Sequence, residues 1–447
     1  MSPSPNARPT DKQILNFMMS FSRLYLNSGG PTSRLEDNLI RVGAHFGRET
    51  EVFATPTGVF VTLNDPLTAD DPVTSLARIK ETGTNLGRLC KLENILADIE
   101  GDRTSVPDAC HVLRSPSMDR TRYTSPITAG AALVAGFVAS FATYQRWNAA
   151  IVSGLITCFV WLVINLGIKR HVSNPLFSDF TGAFVTLVCA ALGHHFVGHV
   201  AIEAYAIGGI VLLVPGLALT TSIAELADQN LVSGTAKFMQ SSLALLSMGL
   251  AYLLFQQIAI SLQLSNVLQP SAAKHTTDFV SVLSVVVNIF CFGVIFKVPP
   301  RLLAWSTLTG IAGWAALHAV SRTGAAAAAP YLGSVMVGTA SLAFGKMFRV
   351  PSQVFSVPGI VAMLPGILAL SSIRYFASGD QDTGLEFTFQ VAVTAVSIVF
   401  GLMTARIPFS VGERVPSSLF KQSARRRAAE GQPETGTRRV PKREPGT

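Results

Sequence analysis

Charge is scarce in this chain. Asp, Glu, Lys and Arg together make up 14% of its 447 residues, against roughly a quarter in an ordinary soluble domain. That deficit excludes a plain soluble enzyme. Cysteine is scarce as well: Cys90, Cys110, Cys158, Cys189 and Cys291 form no CxxC pair and no metal-ligand spacing. Three of them fall in apolar runs, where a free thiol behaves as a small hydrophobe, so neither a disulfide scaffold nor a structural metal site is expected. Catalytic signatures are missing too. No GxxxxGKS/T loop, GxSxG elbow or HExxH helix occurs, which leaves ATP-driven work and hydrolysis without a motif. The expectation is a protein that is not an enzyme and needs no cofactor.

What the chain does have is hydrophobic length. Apolar residues reach 49%, and the charges are unevenly placed around them. Residues 1–122 hold 14 Lys/Arg and 15 Asp/Glu, residues 123–405 hold 11 and 8, and residues 406–447 hold 10 and 4. This is a soluble-like head, a long apolar body and a basic tail. The net charge of +8 sits in the tail and beside the apolar spans, where membrane proteins keep Lys and Arg, so no nucleic acid is needed to explain it. The first apolar window, Ile14 to Leu26, is interrupted by Asn16, Ser20, Ser22 and Arg23, and no small-residue cleavage site follows it. It reads as an amphipathic helix and not as a signal peptide.

A bilayer core needs about 20 apolar residues per helix. Ten windows meet that: 126–144, 149–168, 179–197, 201–222, 236–260, 278–298, 302–320, 325–345, 354–373 and 388–407. Orientation follows from the basic residues. With the head inside, the inner loops carry Lys169, Arg170, Lys237, Lys297, Arg301, Lys346 and Arg349, and the outer ones Arg146, Lys274, Arg322 and Arg374. Arg120, Arg122 and the tail cluster Arg425–Arg427 add to the inner side. Both termini are expected in the cytoplasm, with a multi-pass location in the cell (inner) membrane.

The body also contains a repeat. GGIVLLVPGLALTTSI (208–223) aligns with PGIVAMLPGILALSSI (358–373) at a constant offset of 150, with seven of 16 positions identical, among them Pro215/Pro365, Gly216/Gly366 and Ser222/Ser372. A shared Pro-Gly is not a product of apolar bias, and a duplication is the better reading. The copies fall in the fourth and ninth spans. Five spans apart, they cross in opposite directions, which is the pattern of an inverted-topology repeat, and broken helices of that kind meet at the substrate site of many secondary transporters. Proline removes a backbone donor and clashes one turn back; glycine lets the backbone approach a ligand. Pro215, Gly216, Pro365 and Gly366 are therefore candidate substrate-site residues. So are the hydroxyl runs behind them, Thr220, Thr221, Ser222, Ser371 and Ser372, which suit a small zwitterionic or hydroxylated solute. The alternative for each hydroxyl is a bond back to its own helix.

The head reads as small α+β. An amphipathic helix over roughly 11–27 precedes Ser28-Gly29-Gly30-Pro31-Thr32, and a second helix runs from Ser33 to Gly47. Residues 50–63 form two strands around Pro56-Thr57-Gly58, 74–80 a third strand, and 84–102 a helix. These residues, SGG-PTSRLE, His45-Phe46-Gly47, FATPTGVFVTL and TNLGRL, resemble the cytoplasmic domain of the threonine/serine exporter family. The VPGLALTTSIAEL segment resembles that family's membrane signature, and 278–410 resembles the companion domain that some members fuse on the same chain. The likeness covers about 20–410; the tail, 411–447, lies outside it and reads as disordered. The resemblance implies a proton-motive-force-driven exporter of threonine and serine. It places the family's acidic pair on Glu225 and Asp228, and the head motif on Gly29, Arg34 and Glu36. A two-subunit branch of the family is associated with C4-dicarboxylates such as succinate, which stays open as an alternative.

Ionisable residues near spans are functional candidates by default. Glu225 and Asp228 are expected at the inner end of the fourth span, with Lys237 able to pair with either or to snorkel, and Glu203 near the outer end. His194, His195, His199 and Glu203 offer a proton relay or a metal site, against the plainer reading of a histidine-rich turn (GHHFVGH). For a dicarboxylate, Lys237, Arg349 and Arg374 become the counter-charges. The expected architecture is a mainly α, polytopic membrane protein: a cytoplasmic α+β head (1–122), five-helix repeats over 123–262 and 263–410, and the tail. Its expected partners are a small-molecule substrate, protons and the lipid bilayer, with homo-oligomerisation left open. A membrane-anchored enzyme or sensor is the remote alternative, because an anchor has no use for ten spans or a repeated broken helix.

Overall fold

The computed structural model describes residues 9–65, 71–80, 83–118, 123–168, 174–198, 200–261 and 278–410. Contacts divide the chain into Met1–Ala405 and Arg406–Thr447. In the second unit the described residues, 406–410, are helical.

The head begins with α1 (Asp11–Leu26), whose start is fixed by a reciprocal Thr10–Gln13 capping box. α2 (Thr32–His45) follows, and the chain leaves it through Phe46 and Gly47, the latter at φ 73°. β1 (Glu49–Thr55), β2 (Gly58–Asn64) and β3 (Val73–Arg78) form an antiparallel sheet in that order, with Thr55 opposite Gly58 across the first turn. α3 (Leu86–Glu100) and α4 (Val106–Arg114) complete the head. Period-two alternation puts Val59, Val61 and Leu63 of β2 inward, against Phe17, Phe21 and Tyr25 of α1 and Leu35, Leu39 and Val42 of α2.

All ten apolar windows fall on helical stretches. They are α5 (Ser125–Tyr144), α6 (Trp147–Leu162, with a wider π turn to Ile168), α7 (Pro175–Val197), α8 (Ile202–Leu213) and α9 (Gly216–Ala227), α10 (Leu231–Ser261), α11 (Asp278–Ile295), α12 (Pro300–Arg322), α13 (Ala329–Phe348), α14 (Gln353–Ile360) and α15 (Gly366–Ala377), and α16 (Gln381–Ser410). Among the described residues, six stretches are both long and apolar enough to cross a membrane, α8–α9 counting as one. α12 and α13 have the length, 23 and 20 residues, but Ser, Thr, Gly, Arg301 and Lys346 lower their mean hydropathy. Phe279–Ile295 and Gln353–Met363 are apolar but short.

The helices approach closely because small residues line their contacts. Any side chain at Gly208 of α8 would fall 2.5 Å from the Gly136 backbone of α5 and from Thr157 of α6, and the Gly208 N–H donates to Ser153 Oγ at 3.2 Å. The head rests on one end of the bundle. Leu86 and Cys90 of α3 join a core with Val298, Leu302, Val354 and Phe355, and the Leu86 N–H donates to the Phe296 carbonyl at 3.0 Å. That end is the head side; the opposite end, where α8 begins and α15 stops, is the far side. The five cysteines are free thiols.

Candidate functional site

The two Pro-Gly breaks have the same local conformation. α8 stops at Leu213, Val214 takes φ −58° and ψ 124°, and Pro215 at φ −77° and ψ 41° starts α9. A 3-10 turn (Val361–Met363) follows α14, Leu364 takes φ −62° and ψ 134°, and Pro365 at φ −78° and ψ 41° starts α15. In each, the glycine N–H bonds the carbonyl two residues back, Gly216 to Val214 and Gly366 to Leu364, both at 2.8 Å. These are three-residue turns inserted between helices. α9 and α15 therefore restart with their own carbonyl ladders, from Leu219 to Pro215 and from Ala369 to Pro365.

The breaks also touch each other, reciprocally. A Cβ at Gly216 would lie 3.3 Å from the Leu364 side chain, and one at Gly366 would lie 3.7 Å from Val214. Residues 214 and 364 are themselves one repeat offset apart. The crossing is closed in this conformation. A cavity of about 10 Å³ lies beside it, lined by residues that include Leu187, Ile210, Val214, Met248, Tyr252 and Ile373, which is near the lower limit for a single water.

The hydroxyls behind the breaks divide into two groups. Thr220 donates to Gly216 O at 2.8 Å, Thr221 to Ala218 O at 3.0 Å and Ser222 to Leu219 O at 2.6 Å. All three satisfy their own helix. Ser372 instead reaches across to α16, donating to Gly384 O at 3.0 Å and bonding Thr388 Oγ1 at 2.6 Å. Ser371 is half-buried.

Charged groups close both ends of these helices. On the far side, Arg374 Nη1 of α15 lies 2.6 Å from Glu203 Oε1 in the first turn of α8. The pair joins the two broken helices. Each member also suits its helix end: a carboxylate at an N-terminus, a guanidinium at a C-terminus. Tyr375 lies under the guanidinium at 4.8 Å, and Tyr144 stands beside Glu203. On the head side, the Glu225 carboxylate is buried, its side chain only 4% exposed. It accepts from Lys237 Nζ at 2.5 Å, Ser233 Oγ at 2.7 Å and the Thr32 backbone N–H at 3.2 Å. Thr32 Oγ1 adds a bond to Ser233 Oγ at 3.1 Å. A buried charge surrounded by this many donors ties the head to α9 and α10. Asp228 stands at the C-terminus of α9.

The head motif lies against this node. Gly29 sits at φ 85°, and a Cβ there would come 2.8 Å from the Gly83 carbonyl, so the turn requires glycine. Arg34 pairs with Glu93 at 3.1 Å and donates through Nη1 to Gln353 Oε1 of α14 at 3.3 Å. Glu36 accepts the Ala54 N–H at 2.7 Å. Burial raises the Glu36 pKa above its ordinary value, against the lowering effect of that hydrogen bond, and the charges of Asp37 and Glu225 raise it further. Burial likewise pushes the Cys90 thiol up to about 12, which makes it inert.

His194 and His195 lie in the last turn of α7. α7 ends at Val197 and α8 begins at Ile202, with Gly198 at φ 97° between them. His195 and Glu203 thus lie on different helices. His194 Nδ1 bonds Val200 O at 2.7 Å; His199 lies outside the described residues. No cluster of three or more His, Cys, Asp or Glu suited to a metal ion occurs among the described residues. Lys169, Arg170, Lys274, Arg120, Arg122, Arg425–Arg427 and the tail beyond residue 410 also lie outside them.

Sequence reasoning missed three partners. Arg374 was a candidate counter-charge for a substrate, yet its carboxylate is Glu203, 171 residues away. Thr32, which reaches Glu225 through its backbone N–H, and Ser233, which reaches it through its hydroxyl, carried no signal of that contact, since neither is marked until folding brings it to a buried charge. α4 was missed because its nine residues, with a proline near the start, are too few for a clear period.

A bundle of long apolar helices with interrupted members defines a multi-pass helical membrane protein. Within that class, a family model described as "Putative threonine/serine exporter" matches residues 16–259, and a second, "Threonine/Serine exporter, ThrE", matches 281–407. The chain belongs to the threonine/serine exporter family, in the form that carries both parts on one polypeptide, and that family indicates membrane export. It is 26% identical over 239 residues to Pheromone-regulated membrane protein 10 of Eremothecium gossypii, covering 52% of this chain and 32% of that protein. It is 23% identical over 303 residues to the protein of the same name from Debaryomyces hansenii, covering 67% and 30%. The chain thus spans about a third of the length of these curated relatives. No solved structure matches it.

Proposed function

We propose that this protein exports L-threonine and L-serine by alternating access around the crossing of its two broken helices, driven by the proton motive force. Ten membrane-crossing segments form two five-helix repeats of opposite orientation, with the head and both termini in the cytoplasm and the protein in the cell (inner) membrane. The observation that carries this reading is the reciprocal contact of the breaks: Gly216 against Leu364, and Gly366 against Val214. Two matched interruptions that meet face to face give the bundle a place to part. The Glu225–Lys237 node closes the cytoplasmic end and the Glu203–Arg374 pair the outer end. Opening one while the other holds would load the solute inside and release it outside, with a proton moving inward on a carboxylate of these networks.

A C4-dicarboxylate fits this arrangement less well. Of its three candidate counter-charges, Lys237, Arg349 and Arg374, the first and last are each already paired with a glutamate. The test is efflux from cells loaded with a threonine-containing dipeptide, with and without expression of the protein and with and without a protonophore. Expression-dependent threonine efflux that the protonophore stops is the expected result. Equal threonine and serine efflux with and without the protein would overturn the reading, and succinate efflux in the same cells would replace it with the dicarboxylate one.

A further inference from the structure

The Glu203–Arg374 pair holds two unlike charges 2.6 Å apart across the seam between the repeats. Only about a quarter of either side chain is exposed, 22% for Glu203 and 24% for Arg374. Beneath it lies the closed cavity beside the crossing, whose lining runs from Val214 at the first break to Tyr252 and Ile373. Ile373 adjoins Arg374, and Tyr252 lies within the field of both charges. The pair therefore caps the inter-repeat seam on the far side. At 1.5 Å per residue, Arg374 stands about 12 Å along α15 from Gly366. The groups facing the pair are Tyr144 from α5, Tyr252 from α10 and Tyr375 from α15. Their hydroxyls can hydrogen-bond a solute without adding net charge.

We propose that Glu203 and Arg374 form the outer recognition station for an α-amino acid zwitterion: when the seam opens they release one another, Glu203 taking the α-ammonium group and Arg374 the α-carboxylate. This rests on the export reading above and assigns the residues that recognise its substrate. The charges match one to one. A zwitterion replaces each half of the broken ion pair, so neither half-buried charge is left uncompensated at the moment of opening. A dicarboxylate would satisfy Arg374 and repel Glu203. A cationic amine would do the reverse. The guanidinium fork suits a carboxylate in particular, since it can donate two parallel hydrogen bonds. The station is distinct from the Pro-Gly crossing, which has no charged side chain of its own and supplies turn backbone and hydroxyls.

The test uses the purified full-length protein in proteoliposomes and follows counterflow of labelled L-threonine. The competitors are unlabelled threonine, L-threoninol and 2,3-dihydroxybutyrate. Threoninol keeps the ammonium but has a hydroxymethyl group for the carboxylate; dihydroxybutyrate keeps the carboxylate but has a hydroxyl for the ammonium. In the wild type each analogue should compete more than about tenfold less well than threonine, the size of effect expected from losing a hydrogen bond to a charged group. Glu203→Gln should narrow the gap for dihydroxybutyrate alone, and Arg374→Gln the gap for threoninol alone. Glu203→Asp and Arg374→Lys, which keep the charges, should preserve the wild-type ranking. Should the wild type carry threonine yet accept the analogues equally, or should the neutral variants shift all competitors in step, the pair is a structural bridge and the proposal falls. The wild-type competition series needs no variant, so it can overturn the proposal even where a variant fails to insert, and the charge-keeping variants give a second readout of the pair. A wild type that carries neither threonine nor serine would instead overturn the export reading itself.

Discussion

At their centres the two broken helices are interchangeable: Pro215 and Pro365 share φ and ψ to within a degree. Along the same alignment their ends are not. Glu203 corresponds to Gln353, and Ala224 to Arg374, each 150 residues apart. On the far side the carboxylate at the start of one broken helix meets the arginine at the end of the other, so that closure belongs to the bundle alone. On the head side the arginine position is an alanine, and the amide of Gln353 is met instead by Arg34 of the head. Glu225, one residue past that alanine, takes its donors from α10 and from the backbone of Thr32. The backbone break is the same in both broken helices while the charges at their ends differ, and on the head side Arg34 and Thr32 of the head supply the contacts.

That contrast can be broken at either end. Glu225→Ala removes the acceptor from a buried lysine, a hydroxyl and a backbone N–H at once. Breaking a buried pair in this way costs about 3–5 kcal/mol, and thermal melting in detergent should show it. Glu203→Ala, at a pair that is partly exposed, should cost only about 1–2 kcal/mol. If the two variants melted together, the head-side node would hold no more than the far-side pair does.

The shared centre can be probed next. Gly216→Val pushes into Leu364 from 3.3 Å, whereas Gly366→Val meets Val214 from 3.7 Å. Overpacking of this kind costs about 1–3 kcal/mol. Both variants should impair transport, with the 216 variant less stable than the 366 variant by melting temperature. A smaller effect sharpens the role of the head. A double-mutant cycle of Arg34→Ala with Gln353→Ala should give a coupling of about 0.5–1 kcal/mol, measured by denaturation of the full chain. Additive losses would mean that the head leans on the bundle without gripping α14.

The smallest effect concerns Glu36. Its folded pKa is raised above the ordinary 4.5, so the folded state binds the proton more tightly than the unfolded chain does. Stability from this group is therefore full below the ordinary value and is lost as pH rises through the raised one. Glu36→Gln keeps an acceptor for Ala54 and escapes that loss. Its melting temperature should gain on the wild type as pH rises through this window and hold a constant lead above it. A lead that shrank with rising pH would contradict the stated cause.

How much of this was legible in the sequence depends on the range of the interaction. The helical character of the apolar windows, six of whose stretches are long and apolar enough to cross a membrane among the described residues, and the strand pair around Pro56-Thr57-Gly58 follow from local patterns. The Pro-Gly breaks were legible because proline and glycine act on the backbone where they stand. Lys237 with Glu225 was within reach, since the two lie on helices joined by a short turn. Glu203 with Arg374 was not, because no local signal links residues 171 apart. The hydroxyls of Thr220, Thr221 and Ser222 had two legible partners, a solute or their own helix, and in this closed conformation they bond the helix.

The central claim is that the crossing of the breaks must open for transport. A Cβ at Gly366 would lie 3.8 Å from Val214 Cβ, inside the Cβ–Cβ range of a disulfide, about 3.5–4.5 Å. Val214→Cys with Gly366→Cys, in a chain whose five native cysteines are replaced, therefore tests the claim directly. The oxidised protein should lose threonine counterflow in proteoliposomes and regain it on reduction. Counterflow that continued through the formed disulfide, or a pair that never formed one, would contradict the account.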